Sequence, residues 1–380
     1  MGQDITLKEK GQRTSFLKPI ISKITPVFKQ EKMFESLKKI GITVLSIVLF
    51  IGLWHLGSKA LYNKEANFTI AKALEDQGQE AADAVKACIA SGDSSCQPNT
   101  LPSPSLVWAS FLALIDDHYI IKQDKIDFAI EMAPLNEEIR QFNIDNAAKI
   151  AADDVEAKEE IEYTGRSSFL DIVKTSIKTV FAGFLLALLI AVPIGIIIGL
   201  SPSLRNAFNW FIQIFKPVSP VVWYLLVFMI VKTLYIGNSS DNSFVISFIS
   251  VGLCAMWATL VNTAMGVASV DQDYINVAKV LKLGTFQKIF TVILTSSLPL
   301  IFTGLRITLS VAWMVLIAIE LLAQSKGLGL FVWEEFNNGA NDSNAKILVA
   351  MFVIGIIGFL LDRLMLTVQN AVSFNKVEGV

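Results

Sequence analysis

Six long apolar stretches, separated by polar segments, dominate the pattern of this chain. They cover residues 40–59, 176–200, 208–231, 243–266, 297–323 and 346–369. A helix needs about 20 apolar residues to cross a bilayer, so each stretch is long enough to span one. The stretches are too continuously apolar for barrel strands, and a backbone in hydrocarbon must satisfy its own hydrogen bonds. We therefore predict an all-α polytopic membrane protein with six transmembrane helices.

The charges beside the first stretch predict its orientation. Residues 1–39 contain nine Lys/Arg against four Asp/Glu, and such an excess faces the cytoplasm. Six spans then return the C-terminus to the cytoplasm. The predicted organisation is a basic cytoplasmic segment, a first span, a periplasmic insertion, a five-helix core with a cytoplasmic coupling loop, and a cytoplasmic tail. These parts cover residues 1–39, 40–60, 61–168, 169–369 (loop 267–290) and 370–380.

The predicted periplasmic insertion is acidic and helical. It contains 20 Asp/Glu against nine Lys/Arg. Apolar residues at helical spacing over 124–162 indicate two or three amphipathic helices. Cys88 and Cys96 can form a disulfide in an oxidising compartment. Two free thiols are the alternative, because sequence spacing does not fix the geometry that a disulfide requires.

Several signatures of enzymes are absent from the sequence. No G-x-x-x-x-G-K-[ST] phosphate loop occurs, so we do not expect this chain to hydrolyse ATP. The two histidines, His55 and His118, are far apart, and no Cys/His spacing is typical of a metal site. We predict no catalytic residues, no metal and no cofactor.

The polar loop before the fifth stretch carries a recognisable pattern. Residues 276–278 read NVA, Gly284 follows six positions after Ala278, and SLP occurs at 297–299. This loop, with the spans over 176–369, resembles the permease subunits of bacterial ABC importers. Their loop carries an acidic residue and an alanine at the positions of Asn276 and Val277.

The resemblance implies that this loop contacts an ATPase subunit. A short helix from about Tyr274 to Leu283 would lie across the membrane base, small Ala278 would allow close approach to the ATPase, and Gly284 would turn the chain through a positive φ. An ordinary amphipathic interfacial helix is the alternative. The residues expected to couple to the ATPase are Asn276, Val277, Ala278, Leu283 and Gly284.

Further strings are similar to one branch of that family, the nitrate, sulfonate and bicarbonate permeases. They read LPSP at 101–104, KPVSPVVW at 216–223, GLR at 304–306 and GLGLFVWEEFN at 327–337. The last string is closer to the nitrate or bicarbonate permeases. The resemblance implies a small oxyanion as substrate, nitrate first, then bicarbonate or cyanate, with taurine or another sulfonate as the alternative. The acidic insertion would repel an anion unless it lies away from the mouth of the route or serves a partner.

Polar residues within the spans are candidates for the translocation pathway. Arg306 lies deep in the fifth span, where a charge costs about 2.5–3.5 kcal/mol and should face protein or water. It either helps to admit an anion or pairs with a carboxylate that holds the bundle together. Glu320 either meets a partner or caps a turn. The pathway candidates are Ser219, Trp223, Thr303, Arg306, Ser310, Trp313 and Glu320, although such residues also serve as packing contacts in membrane helices.

The resemblance also implies a location, partners and a mechanism. We expect a multi-pass protein of the bacterial inner membrane that works by alternating access. Its partners would be ABC ATP-binding subunits, a periplasmic or lipid-anchored solute-binding protein, a second permease subunit and membrane lipid, but no nucleic acid. The rival classes are a secondary carrier, for which the halves of the chain show no internal repeat, and a structural membrane protein with an outer sensing domain.

Overall fold

The computed structural model describes residues 5–92, 96–151, 154–234, 242–339 and 341–372. The predicted tail at 370–380 falls mostly outside these ranges, and the side chains of the predicted basic segment 1–39 lie almost entirely outside the description. The chain divides into two compact units, Met1–Ser105 and Leu106–Val380.

The first unit is built on one long helix. Helix α1 covers Ile5–Gln77 and helix α2 covers Gln79–Ser91. Gly78 separates them with a φ of 86°, a left-handed conformation that glycine adopts without steric cost. The apolar span of α1 begins at Ile40, and most of its apolar side chains are exposed. Such a surface is suited to lipid or to another subunit.

The segment that carries the LPSP string returns along α1. Trp54 donates its Nε1–H to the carbonyl oxygen of Pro102 at 3.0 Å. Ser58 donates its hydroxyl to the carbonyl oxygen of Leu101 at 2.8 Å. These bonds satisfy two carbonyl oxygens of a segment that is not helical. Side chains supply the donors because proline has no backbone N–H with which to form a regular hydrogen-bond pattern.

The second unit contains the remaining helices. They are α3 (Pro104–Asp145, whose first two residues belong to the first unit), α4 (Ala147–Ala151), α5 (Phe169–Leu200), α6 (Pro202–Phe215), α7 (Pro220–Leu234), α8 (Ser243–Ala268), α9 (Gln272–Val280), α10 (Thr285–Gln287), α11 (Leu294–Ala323), α12 (Leu328–Asn338) and α13 (Asn341–Val372). A π-helical turn, Lys288–Ile293, joins α10 to α11. The all-α polytopic fold predicted from the sequence is confirmed.

Helix α8 is the centre of this unit, with α5 on one side and α11 on the other. Glycines permit the close approach. A Cβ at Gly183 would lie 2.9 Å from the carbonyl oxygen of Phe248, and one at Gly199 would lie 2.7 Å from that of Ala264. Since apolar contact gives little driving force in lipid, backbones that approach through small residues are a main source of helix association.

The third apolar stretch is not the single helix that the sequence predicted over 208–231. Helices α6 and α7 meet at 97° across residues 216–219. Pro217 and Pro220 explain the break, because each lacks an N–H and disfavours helical geometry in the residue before it. The described residues therefore contain five helices able to cross a membrane, or six if this bent pair counts as one span.

The insertion predicted over 61–168 is helical, and its last part is an extended segment that runs back along α3. The Asn136 amide donates to the carbonyl of Ile161 at 3.1 Å and accepts from its N–H at 2.7 Å. The Asn143 amide makes the same pair of bonds with Lys158, at 2.8 and 2.9 Å. Each side chain thus satisfies both backbone groups of one extended residue, as a neighbouring strand would.

An ion pair lies between these two amide contacts. Arg140 binds both carboxylate oxygens of Glu160, at 2.7 and 3.0 Å. The hydrogen bond from Arg140 lowers the pKa of the Glu160 carboxyl below its ordinary value. Residues 158–161 of the acidic insertion therefore have a defined packing along α3.

Candidate functional site

Helix α9 is the predicted coupling helix, and its inner side is anchored to the membrane bundle. Asp271 begins it, accepting from the N–H of Asp273 at 3.0 Å. Ile275 packs on the cluster formed by Val267, Val270 and Ile293, at the ends of α8 and of the π-helical turn. Displacement of α9 would therefore act directly on the end of α8 and on the start of α11.

Ala278 lies on this inner side and is only 2% exposed. Its small size lets α9 lie close to its own chain. Close approach of an ATPase subunit at this position stays a prediction.

The outer side of α9 presents apolar side chains. Val280 is 81% exposed and Phe286, just beyond the helix, is 78% exposed. Tyr274, Val277 and Leu281 are exposed with them. Asn276 is exposed as well, whereas Leu283 is half-buried. Contiguous exposed apolar residues in a loop between spans are typical of a protein contact site.

The turn after α9 differs from the predicted one. Lys282 holds the left-handed conformation, with a φ of 51°, whereas Gly284 has an ordinary φ of −63°. A Cβ at Gly284 would meet only the side-chain oxygen of Gln287, at 4.0 Å. Gly284 is therefore required neither for backbone conformation nor for space, and the turn relies on an unfavourable conformation of a lysine.

Polar contacts join α11 to α13 in the membrane part of the unit. Gln369 donates to the hydroxyl of Thr303 and to the carbonyl of Pro299, both at 3.4 Å, and Trp313 donates its indole N–H to the carbonyl of Ile354 at 3.0 Å. Between them, Arg306 binds Asp362. Thr303 and Trp313 thus make contacts between helices, and their place on the translocation pathway stays a prediction.

The Arg306–Asp362 pair is bidentate. The Nε of Arg306 lies 2.5 Å from one carboxylate oxygen and its Nη2 lies 2.8 Å from the other. The two side chains are 35% and 25% exposed. Arg363 follows Asp362 but lies over the ring of Phe359, 5.1 Å from the centroid. A carboxylate partner was one of the two alternatives predicted for Arg306, and Asp362 is that carboxylate.

Glu320 is the best-satisfied of the predicted pathway residues. It is 1% exposed, accepts from the hydroxyl of Ser176 at 2.6 Å, and accepts from the N–H of Gly329 at 2.9 Å. The Ser176 oxygen in turn accepts from the N–H of Leu328 at 2.9 Å. Glu320 therefore caps the first turn of α12 and ties it to α5, which agrees with the capping alternative.

Gly327 is required beside this carboxylate. A Cβ there would lie 2.1 Å from the Glu320 side-chain carbon. The glycines of the GLGLFVWEEFN string therefore have a packing role around Glu320.

The remaining predicted residues lie outside the contacts of Glu320. Ser310 is exposed one turn from Arg306 and donates to its carbonyl at 3.1 Å. Ser219 lies in the break between α6 and α7. Trp223 packs against Phe215 and Trp257, and its buried indole nitrogen has no hydrogen-bond partner among the described residues. The seven candidates thus do not form one site.

Cys88 and Cys96 form a disulfide in the first unit. The bond joins the last turn of α2 to the segment that leads into the LPSP string. Gln97 beside it donates to the carbonyl of Ile89 at 3.0 Å and accepts from the Tyr62 hydroxyl at 2.5 Å. Among the described residues, no group of His, Cys, Asp and Glu is arranged to hold a metal ion.

Comparison with known proteins gives one family. Residues 191–373 match the family model described as "Binding-protein-dependent transport system inner membrane component". The chain is similar to the nitrate import permease NrtB of Synechococcus elongatus, with 33% identity over 198 residues, 52% of this chain and 68% of that protein.

Two further relatives are similar over the same part. The bicarbonate transport permease CmpB of Synechocystis is 34% identical over 199 residues, covering 52% of this chain and 67% of that protein. The taurine transport permease TauC of Escherichia coli is 32% identical over 204 residues, covering 52% and 70%. Each similarity leaves nearly half of this chain unmatched.

Proposed function

We propose, from the premise that this chain belongs to the family of binding-protein-dependent transport system inner membrane components, that it moves a small oxyanion from the periplasm to the cytoplasm. It is a permease subunit of an ABC importer and a multi-pass protein of the bacterial inner membrane. Nitrate is the first choice of substrate, and bicarbonate is the second.

The observation that carries the proposal is the two-sided character of α9. Its outer side offers Val277 and Val280 to a partner, with Phe286 exposed just beyond the helix, while its inner side rests on the ends of the central helices. ATP-driven closure of two ATP-binding subunits would push on this surface and reorient α8 and α11. ATP hydrolysis would occur in those subunits.

The choice of an oxyanion has two supports. The relatives named for nitrate and bicarbonate transport are 33% and 34% identical to this chain. In addition, Arg306 provides an intramembrane cation that is partly exposed. The taurine permease is 32% identical, so an organic sulfonate is the second candidate class.

The predicted topology completes the proposal. Residues 61–168 face the periplasm, where the Cys88–Cys96 bond suits an oxidising compartment. Residues 1–39, the loop 267–290 and the tail face the cytoplasm. A solute-binding protein delivers the substrate from outside, and a second permease subunit completes the route.

A test of the coupling surface is the variant Val280→Asp, compared with Ile130→Asp. Both residues are exposed and β-branched, but Ile130 lies on the insertion, away from α9. An unpaired carboxylate buried in an apolar interface costs a few kcal/mol. We expect Val280→Asp to reduce co-purification with the ATP-binding subunits about tenfold or more, because each 1.4 kcal/mol is a factor of ten. Equal co-purification of the two variants would contradict the role of α9.

A further inference from the structure

The Arg306–Asp362 pair lies in the spanning parts of α11 and α13, yet both side chains are partly exposed. A charge at membrane depth is costly unless it faces protein or water. The surface of α11 that carries Arg306 therefore faces a partner subunit or a water-filled route rather than lipid. The neighbouring exposed residues on this surface are Ile307, Ser310 and Met314, none of which is charged.

The pair leaves part of the guanidinium group unused. Asp362 occupies the edge formed by Nε and Nη2. Nη1 has no hydrogen-bond partner among the described residues. A guanidinium group has five N–H donors in a rigid plane, so a second edge, formed by Nη1 and Nη2, can bind another planar acceptor.

We propose that Arg306 is a transient binding site for a planar oxyanion on the translocation route, with Asp362 as the positioning residue of its guanidinium group. This deepens the proposed function and rests on it. Nitrate and bicarbonate, like a carboxylate, are planar and present pairs of oxygens that match the guanidinium fork. The edge that Asp362 leaves free thus suits the class of anion proposed as the substrate.

Asp362 has a second effect in this arrangement. Its negative charge offsets that of Arg306, so an arriving anion meets an oriented donor without a strong net positive charge. A transport site must bind well enough to admit its ion and weakly enough to release it. A bare arginine in a low-dielectric environment would hold an anion much more tightly.

The test uses the complete transporter in proteoliposomes, with ATP-binding subunits inside and the binding protein outside. The measurement is the concentration of nitrate in the lumen, the cytoplasmic side, that halves ATP-driven uptake. This value reports a site in the permease rather than the affinity of the binding protein. Arg306→Lys keeps the charge but loses the fork, so we expect it to raise the half-inhibitory concentration about tenfold. Asp362→Asn leaves the cation uncompensated, so we expect it to lower that concentration.

The opposite direction of these two shifts is what a purely structural ion pair would not give. Arg363→Lys is the matched control, since it makes the same change one residue from Asp362 and should not alter the half-inhibitory concentration. If both single variants fail to assemble, the half-inhibitory concentration is measured for the double variant Arg306→Gln/Asp362→Asn, which can keep a neutral hydrogen bond. A raised value in that assembled variant supports the site.

A wild-type half-inhibitory concentration in the double variant, or shifts of the same sign in the two single variants, would overturn the inference. The proposed function fails separately, and earlier, if the wild-type complex takes up neither nitrate nor bicarbonate.

Discussion

Replacing Glu320 by alanine tests the structural role of the buried carboxylate at the start of α12. In the folded protein this side chain accepts hydrogen bonds from Ser176 and from the N–H of Gly329. Alanine leaves both donors buried without that acceptor. A buried donor without a partner costs about 1–3 kcal/mol, so the loss of unfolding free energy should be about 2–6 kcal/mol before any cavity is counted.

The matched control is Glu334→Ala, which removes an exposed glutamate from α12 itself. Thermal unfolding of the purified protein in nanodiscs, followed by tryptophan fluorescence, gives the comparison. A change of 1 kcal/mol shifts the midpoint by about 2–4 °C for a unit of this size, so Glu320→Ala should unfold roughly 10 °C below the control. Midpoints within 2 °C of each other, by the same scale, would refute the account of Glu320 as a structural cap.

Two further perturbations follow from the packing. Gly329→Ala should destabilise the protein by about 1–3 kcal/mol, since the new Cβ would lie 2.1 Å from a helix carbonyl oxygen, whereas Gly355→Ala, with nothing within 4 Å, should be neutral or slightly stabilising in the same unfolding assay. Asn143→Asp loses the amide donor to Lys158, so cleavage of the extended segment by a Glu-specific protease should accelerate about 2- to 10-fold. Gln141→Glu, which makes the same chemical change within α3, should leave that cleavage rate unaltered.

The sequence predicts the membrane helices well because the lipid imposes a simple requirement on them. Long apolar stretches correspond to α5, α8, α11 and α13. Gly183 and Gly199 lie within such a stretch, and a Cβ at either would collide with the neighbouring backbone. The break between α6 and α7 was missed, although Pro217 and Pro220 signalled it, because average hydropathy outweighed the local effect of proline.

The sites are less predictable because they depend on residues distant in sequence. Asp362 meets Arg306 only through the register of α11 against α13, and Glu320 meets Ser176 across 144 positions. The left-handed conformation of Lys282 has no signal in the sequence, since the neighbouring Gly284 is the residue that favours such a turn. The burial of Ala278 is equally hard to predict. The pattern predicts a short helix, but it does not show which side of that helix faces its own chain.

The central claim is tested most directly by uptake into proteoliposomes that contain this chain with its ATP-binding subunits and its solute-binding protein. Nitrate, bicarbonate, cyanate and taurine are supplied in turn, with and without ATP. We predict accumulation of nitrate, or of bicarbonate as second choice, that requires both ATP and the binding protein. Accumulation of taurine alone would contradict the oxyanion assignment, and uptake of any of these solutes without ATP would contradict the function as an ABC permease.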